Sequence, residues 1–344
     1  MFLAENQDLT VLRPTGSHIS PSDWAVLARF WYPVAVAGDL KQAPMSGRLL
    51  DVDLVIYRTE GEVTVALDRC PHRHIRLSAG KIANDRIECP FHGLAFNAEG
   101  RCTRVPALGK EANIPPRYRL RTFRSQVRYG LVWTCLDQSS TELVPELAAA
   151  TAADPDRLAY ALVRDWPVSA PRQLENFIDL AHIPFVHAKS MGGDPFAAQP
   201  TGRVEPTGQG VILTDIVRDR HMPNGETWQV DMTYELVLPF IVELRSRTLK
   251  DGVVRLHMYD IPAPISAYQS RVFMMFITPG PSPSRESQPA HDDGDQIILE
   301  DIDILGKLAQ PDLPLDQKSE IHLPVDLISL EYRKRLKALG LGRS

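Results

Sequence analysis

Cysteine is scarce in this chain, with four in 344 residues, too few for the disulfide framework that holds small secreted domains together. Long apolar runs are missing as well. The stretch worth testing, Leu236 to Leu244, is short and broken by Pro239 and Glu243, whereas a membrane-spanning helix needs roughly 20 residues. Positive charge is not in excess. The formal net charge is −5, so no basic field draws the chain to nucleic acid or to an anionic membrane. The opening residues, MFLAENQDLTVLRP, have neither the basic start nor the apolar core of a signal peptide, and the expectation is a soluble, cytoplasmic protein. No dinucleotide fingerprint is present, because Gly208-Gln209-Gly210 does not complete G-x-G-x-x-G.

What is there has the balance of a globular protein, 44% hydrophobic and 24% charged, long enough for two domains. The 28 prolines suggest many turns and bounded strands. Residues 22–30, SDWAVLARF, carry apolar residues at helical spacing with a serine able to cap, which predicts a short helix. From about Trp31 to Asp137, short β-rich runs (VDLVIYR, EVTVALD, GLVWTCL) are divided by Gly, Asn and Pro turns, the pattern of a small all-β domain. The polar, alanine-rich stretch 138–158 marks a boundary, giving domains of 1–150 (core about 30–137) and 151–344. Beyond it a helix is predicted around Pro171 to Ile183, then strands GVILTDIV, TWQVDMTYELVL, VVRLHMYDI and SRVFMMFIT. Strands grouped without alternating helices predict an antiparallel sheet in an α+β domain. Residues 279–295 read as a loop, and helices are predicted for Asp295 to about Ala309 and Pro324 to Leu339.

The cysteines fall into two kinds. Cys135 lies in the apolar run LVWTC, as a core residue would, and Cys102 reads as structural. Cys70 and Cys89 instead have histidines at short offsets: Cys70-Pro71-His72, sixteen residues, then Cys89-Pro90-Phe91-His92. Two thiolates and two imidazoles suit a Rieske [2Fe–2S] centre, where one iron takes the cysteines and the other the histidines. A Cys2His2 zinc site uses the same donors, but it normally pairs Cys with Cys and His with His at short spacing. Mixed pairs favour the cluster. CPHRH, CPFHGLAFNAEGRC and the spacing between them resemble the Rieske domain of ring-hydroxylating oxygenases and oxidative demethylases over roughly residues 30–137. His74 departs from the small residue usual at its place. With the ligand set full, it reads as a surface or supporting histidine.

A second constellation lies in Glu175-Asn176-Phe177-Ile178-Asp179-Leu180-Ala181-His182-Ile183-Pro184-Phe185-Val186-His187. Asp179 and His182, three apart, would share a helix face. His182 and His187 would sit about 140° apart on a straight helix, so a break at Pro184 is expected to bring them together. Two histidines need a carboxylate for the 2-His-1-carboxylate face of a mononuclear iron. Asp292, Asp293, Asp295, Glu300, Asp301 and Asp303 are the candidates. In a helix, Ile298, Asp301, Ile302, Leu305 and Leu308 form one stripe, so Asp301 is the acid on the apolar face, where an ionised carboxylate is costly without a cation. Asp303, about 200° away, is the second choice.

The pattern resembles the oxygenase family's E/N-x-x-x-D-x-x-H-x-x-x-x-H motif, with Glu175 in its first position, and LEDIDILGKLAQ resembles its C-terminal acidic helix. The resemblance implies a helix-grip catalytic domain with Fe(II) on His182, His187 and Asp301. Asp179 would contact an iron histidine and approach the cluster histidine matching His92 in a neighbouring subunit. It further implies a head-to-tail homotrimer. Electrons would come from an NAD(P)H-dependent reductase, with or without a ferredoxin. The activity implied is O2-dependent hydroxylation or oxidative dealkylation of a small, aromatic or hydrophobic substrate in aromatic compound catabolism. Monooxygenation is favoured over a cis-dihydroxylating dioxygenase reaction by the chain's length and C-terminal stretch. A Rieske protein that only carries electrons would leave the second motif unexplained.

Overall fold

The structure, a computed structural model, describes residues 12–59, 61–110, 113–221, 226–278 and 292–342. Residues 1–11 and most of the predicted 279–295 loop lie outside the described residues. The chain divides into two compact units, Met1–Glu146 and Leu147–Ser344. Among the described residues, no helix is long and apolar enough to cross a membrane.

The first unit opens with helix α1 (Pro21–Leu27). The Ser20 hydroxyl accepts the Asp23 N–H at 3.1 Å, and Trp24 and Leu27 are buried. In chain order the strands are β1 (Tyr32–Val36), β2 (Met45–Leu49), β3 (Val52–Thr59), β4 (Glu62–Leu67), β5 (Lys81–Ile82), β6 (Ile87–Glu88), β7 (Ala95–Phe96), β8 (Cys102–Arg104), β9 (Thr122–Arg128) and β10 (Leu131–Cys135). They form a six-stranded sheet ordered β1-β10-β9-β4-β3-β2 and a four-stranded sheet β5-β6-β7-β8. The expected all-β domain is therefore present. Its smaller sheet escaped the sequence because strands of two or three residues show no period. Val55, Tyr57, Ala66, Leu77, Ile87 and Phe96 pack around Cys70 and Cys89 in one core. Cys102 and Cys135 are both buried and unpaired.

The second unit begins with α2 (Ala148–Ala152), inside the stretch assigned to a polar connection. β11 (Leu158–Trp166) follows, then helices α3 (Ala170–Ile178) and α4 (Ile183–Val186). Next come β12 (Arg203–Pro206), β13 (Gly210–His221), β14 (Thr227–Val237), β15 (Ile241–Thr248), β16 (Val254–Pro264) and β17 (Ser270–Ile277), and finally α5 (Asp292–Leu305) and α6 (Leu327–Ala338). The sheet has seven antiparallel strands ordered β11-β17-β16-β15-β14-β13-β12. Alternation along β14 buries Val230, Met232, Tyr234 and Leu236 on one face. Helix α3 packs on β16 and β17, and α6 on β12 and β13. This is the expected α+β arrangement, with three strands that were not predicted. β11 sits at the end of the presumed connection and β12 is only four residues long. β15 was hidden in the Leu236–Leu244 run, which is the β14–β15 hairpin.

Two helix boundaries differ from expectation. The C-terminal acidic helix starts at Asp292 and ends at Leu305, so residues 292–295 are its first turn rather than loop. The predicted Pro171–Ile183 helix stops at Ile178, and Asp179 is extended with φ −77° and ψ 130°. Asp179 causes the break: its Oδ1 accepts the Ala181 N–H at 2.7 Å, an Asx turn that competes with the helix ladder. Asp179 and His182 therefore do not share a helix face. Pro184 sits in the first turn of α4, after Ile183, instead of breaking a helix, a place where its fixed φ and missing N–H cost nothing.

Candidate metal centres

The Cys–His pairs of the first unit occupy two loops built alike. In the first, the Cys70 N–H donates to the Ile75 carbonyl and the His74 N–H donates to the Cys70 carbonyl, each at 2.9 Å. In the second, Cys89 N–H donates to Leu94 O at 2.8 Å and Gly93 N–H to Cys89 O at 3.0 Å. The residue closing each loop is left-handed: His74 at φ 58° and Gly93 at φ 68°. A left-handed residue is sterically cheap only for glycine and tolerable for a few polar types, His among them. His74 thus occupies the position of a turn residue, and its ring is exposed. Asp68 anchors the first loop by accepting from Ser78 N–H at 2.8 Å and Ser78 Oγ–H at 2.6 Å.

These loops bring the four donors together. The thiols of Cys70 and Cys89 lie side by side, and burial, reinforced by that neighbour, pushes the Cys70 thiol up to about 11. His72 and His92 are exposed, with ring centroids 4.7 Å apart, and Phe91 stacks on His92 at 3.9 Å. Two buried thiols behind two exposed imidazoles match the donor set of a Rieske cluster.

In the second unit, His182 and His187 flank the single turn of α4, with ring centroids 5.1 Å apart at 71°. Asp301, on α5, completes a group whose ligating atoms all lie within 4.8 Å of one another. Its Oδ1 is 3.5 Å from His182 Nε2 and 3.2 Å from His187 Nε2. Neighbouring donors on one first-row ion are separated by roughly 3 Å, so the set fits a metal. Asp303, the second candidate, points away and pairs with Lys307 at 2.6 Å.

Side chains outside the predicted ligand set support this triad. His187 Nδ1–H donates to Glu300 Oε2 at 2.9 Å, and that oxygen also accepts from Ser190 Oγ–H at 2.6 Å. A carboxylate behind the ring fixes the tautomer and turns Nε2 inward. Burial works against charge on His187, but Asp301 and Glu300 outweigh it and raise its pKa. Asn176 Nδ2–H donates to Asp301 Oδ1 at 3.1 Å, so this asparagine steers the carboxylate. Asp179 Oδ2 lies 3.4 Å from His182 Nδ1, long for a hydrogen bond, with its side chain 32% exposed. Burial opposes ionisation there, yet His182 and the Ala181 N–H hold the Asp179 pKa below its ordinary value. Glu175 is not at the triad. Arg333 grips it from Nε at 2.7 Å and from a terminal nitrogen at 2.8 Å, and Arg172 reaches it at 3.0 Å.

The family model for the Rieske [2Fe-2S] domain matches residues 30–124, and that for the vanillate O-demethylase oxygenase C-terminal domain matches residues 166–341. A methylxanthine N3-demethylase of Pseudomonas putida is 30% identical over 340 residues, covering 93% of this chain and 91% of that protein. A methylxanthine N1-demethylase of the same organism is 28% identical, covering 91% and 89%. A solved structure of NdmA from Pseudomonas putida CBB5 with caffeine superimposes with a TM-score of 0.78 at 27% identity, over 91% of each chain. Dicamba monooxygenase bound to dicamba shares the fold, with a TM-score of 0.67 at 20% identity over 91% of this chain and 97% of that one.

Proposed function

The chain belongs to the Rieske oxygenase family whose catalytic domain is of the vanillate O-demethylase type, and from that membership we propose that it is a terminal oxygenase carrying out oxidative demethylation of a small aromatic substrate. The convergence of His182, His187 and Asp301 within 4.8 Å carries this reading. The relatives named for N-demethylation point to the same reaction class and favour monooxygenation over cis-dihydroxylation.

In this reading Cys70 and Cys89 bind one iron of the cluster, His72 and His92 the other, and His182, His187 and Asp301 hold a mononuclear Fe(II). The metals, when bound, supply electron storage and reductive activation of O2. The protein supplies placement. Glu300 and Asn176 aim His187 and Asp301, while Asp179 faces His182 and keeps a third of its side chain open to solvent, as a residue meeting a neighbouring subunit would. We further propose a head-to-tail homotrimer and electrons drawn from an NAD(P)H-dependent reductase, directly or through a ferredoxin. A cytoplasmic setting follows from that electron supply.

Elemental and turnover analysis test this directly. The purified protein is expected to hold about three irons and two labile sulfides per chain, and with a surrogate reductase to release formaldehyde from a methylated aromatic in step with O2 uptake. Two irons and no product would leave only an electron carrier, and zinc in place of iron would remove the redox role.

A further inference from the structure

Several partly or fully buried arginines of the second unit come with carboxylates. Arg333 pairs with Glu175 and Glu320, Arg172 with the same two acids, and Arg271 with Asp165. Arg218 on β13 is different. Its side chain is half-buried, and one terminal nitrogen of its guanidinium is fully buried with no hydrogen-bond partner among the described residues. Withdrawing part of a guanidinium from water is costly unless an anion answers it. Here burial does lower the arginine's pKa.

The register places Arg218 on the helix-covered face of the sheet. It stands opposite Val230, which stands opposite Thr248, and both are buried. The next rows on that face are Ile216, Met232 and Ser246, then Leu213, Tyr234 and Leu244. No acid lies among these positions. Tyr234 links Arg218 to the metal triad: its buried phenol feels the charges of both Arg218 and Asp179, and its ring meets Phe177 of α3 edge-on at 6.4 Å. Phe177 adjoins Asn176, which holds Asp301.

We propose that Arg218 is a specificity-determining residue that binds the anionic group of an aromatic carboxylate, fixing the ring on the inner sheet face with its methylated end toward His182, His187 and Asp301. This substrate class rests on the oxygenase function proposed above. A charge-assisted hydrogen bond from a partly desolvated guanidinium is strong and directional, whereas a neutral substrate would leave its buried nitrogen unanswered.

The test uses holoenzyme of verified iron and sulfide content and calorimetric titration with 3-methoxybenzoate and its uncharged counterpart 3-methoxybenzamide. The wild type is expected to bind the carboxylate roughly tenfold or more tightly. Arg218→Met should erase that preference. Arg218→Lys, which keeps the charge without the planar fork, should retain part of it. Equal binding of the two probes by wild type, binding of neither, or a carboxylate preference that survives in Arg218→Met would overturn the proposal. Formaldehyde release is measured separately. Selective carboxylate binding without demethylation of any methylated probe counts against the oxygenase function and leaves the role of Arg218 standing.

Discussion

At the scale of single residues, His74 shows what a one-letter departure can mean. The matched loops put His74 where the second loop has Gly93, and the left-handed backbone explains why a small residue suits the site. Replacing His74 with Gly should preserve the cluster and shift thermal stability by less than about 1 kcal/mol. Val, β-branched and disfavoured at positive φ, should cost about 1–2 kcal/mol and hasten cluster bleaching, followed by visible absorbance during heating. Glu300 makes the complementary case. Glu300→Ala should weaken iron binding by about 10–100-fold and Glu300→Gln by less, because Gln keeps an acceptor for His187; competition with a calibrated chelator measures both. The sequence pointed to Cys70, His72, Cys89 and His92 because loop ligands repeat at fixed offsets, and to Asp301 because an acid stood in an apolar stripe. It gave no sign of Asn176 or of Glu300 as a support. Their meaning depends on α3 and α5 meeting, which no local pattern encodes.

At the scale of elements, the break between α3 and α4 was expected, but Asp179 makes it and not Pro184. Proline is a visible breaker in any sequence, while an Asx turn shows only once the carboxylate has chosen the Ala181 N–H. β15 was lost for a related reason: Pro239 drew attention to an interrupted apolar run, although IVELRSRT alternates as a strand should. The contact of α3 with β16 carries a prediction of its own. Asp260 and Gln173 are both fully buried, and all four of their side-chain polar atoms lack hydrogen bonds in good geometry among the described residues. Burial pushes the Asp260 carboxyl up to about 8, eased by the adjacent Gln173 amide and reinforced by the charge of Asp301. Unfolded, the acid ionises near its ordinary 3.8. The folded state therefore holds a proton that the unfolded chain has lost, and stability falls as pH rises from about 4 to about 8 and then levels off. Asp260→Asn, unable to ionise, should flatten that slope. It should also raise the metal-free protein's stability at pH 8 by several kcal/mol, on the order of 5, as urea unfolding at a series of pH values would register.

At the scale of the whole molecule, two compact units, divided between Glu146 and Leu147, each carry one candidate centre. The inner face of the second sheet was not legible, since Arg218 and Tyr234 are ordinary strand residues until register sets them beside one another. The triad and its supports come from distant parts of the chain. His187 and its partner Glu300 stand 113 residues apart in sequence, on segments joined at that point by nothing covalent. An ion gripped by His182, His187 and Asp301 would act as a rivet between them. Stripping it with a chelator should lower the melting temperature of the second unit while the first melts as before, and adding a redox-silent divalent ion such as zinc should restore it without restoring turnover. The site that performs the chemistry would then also be a clasp that keeps the chain closed.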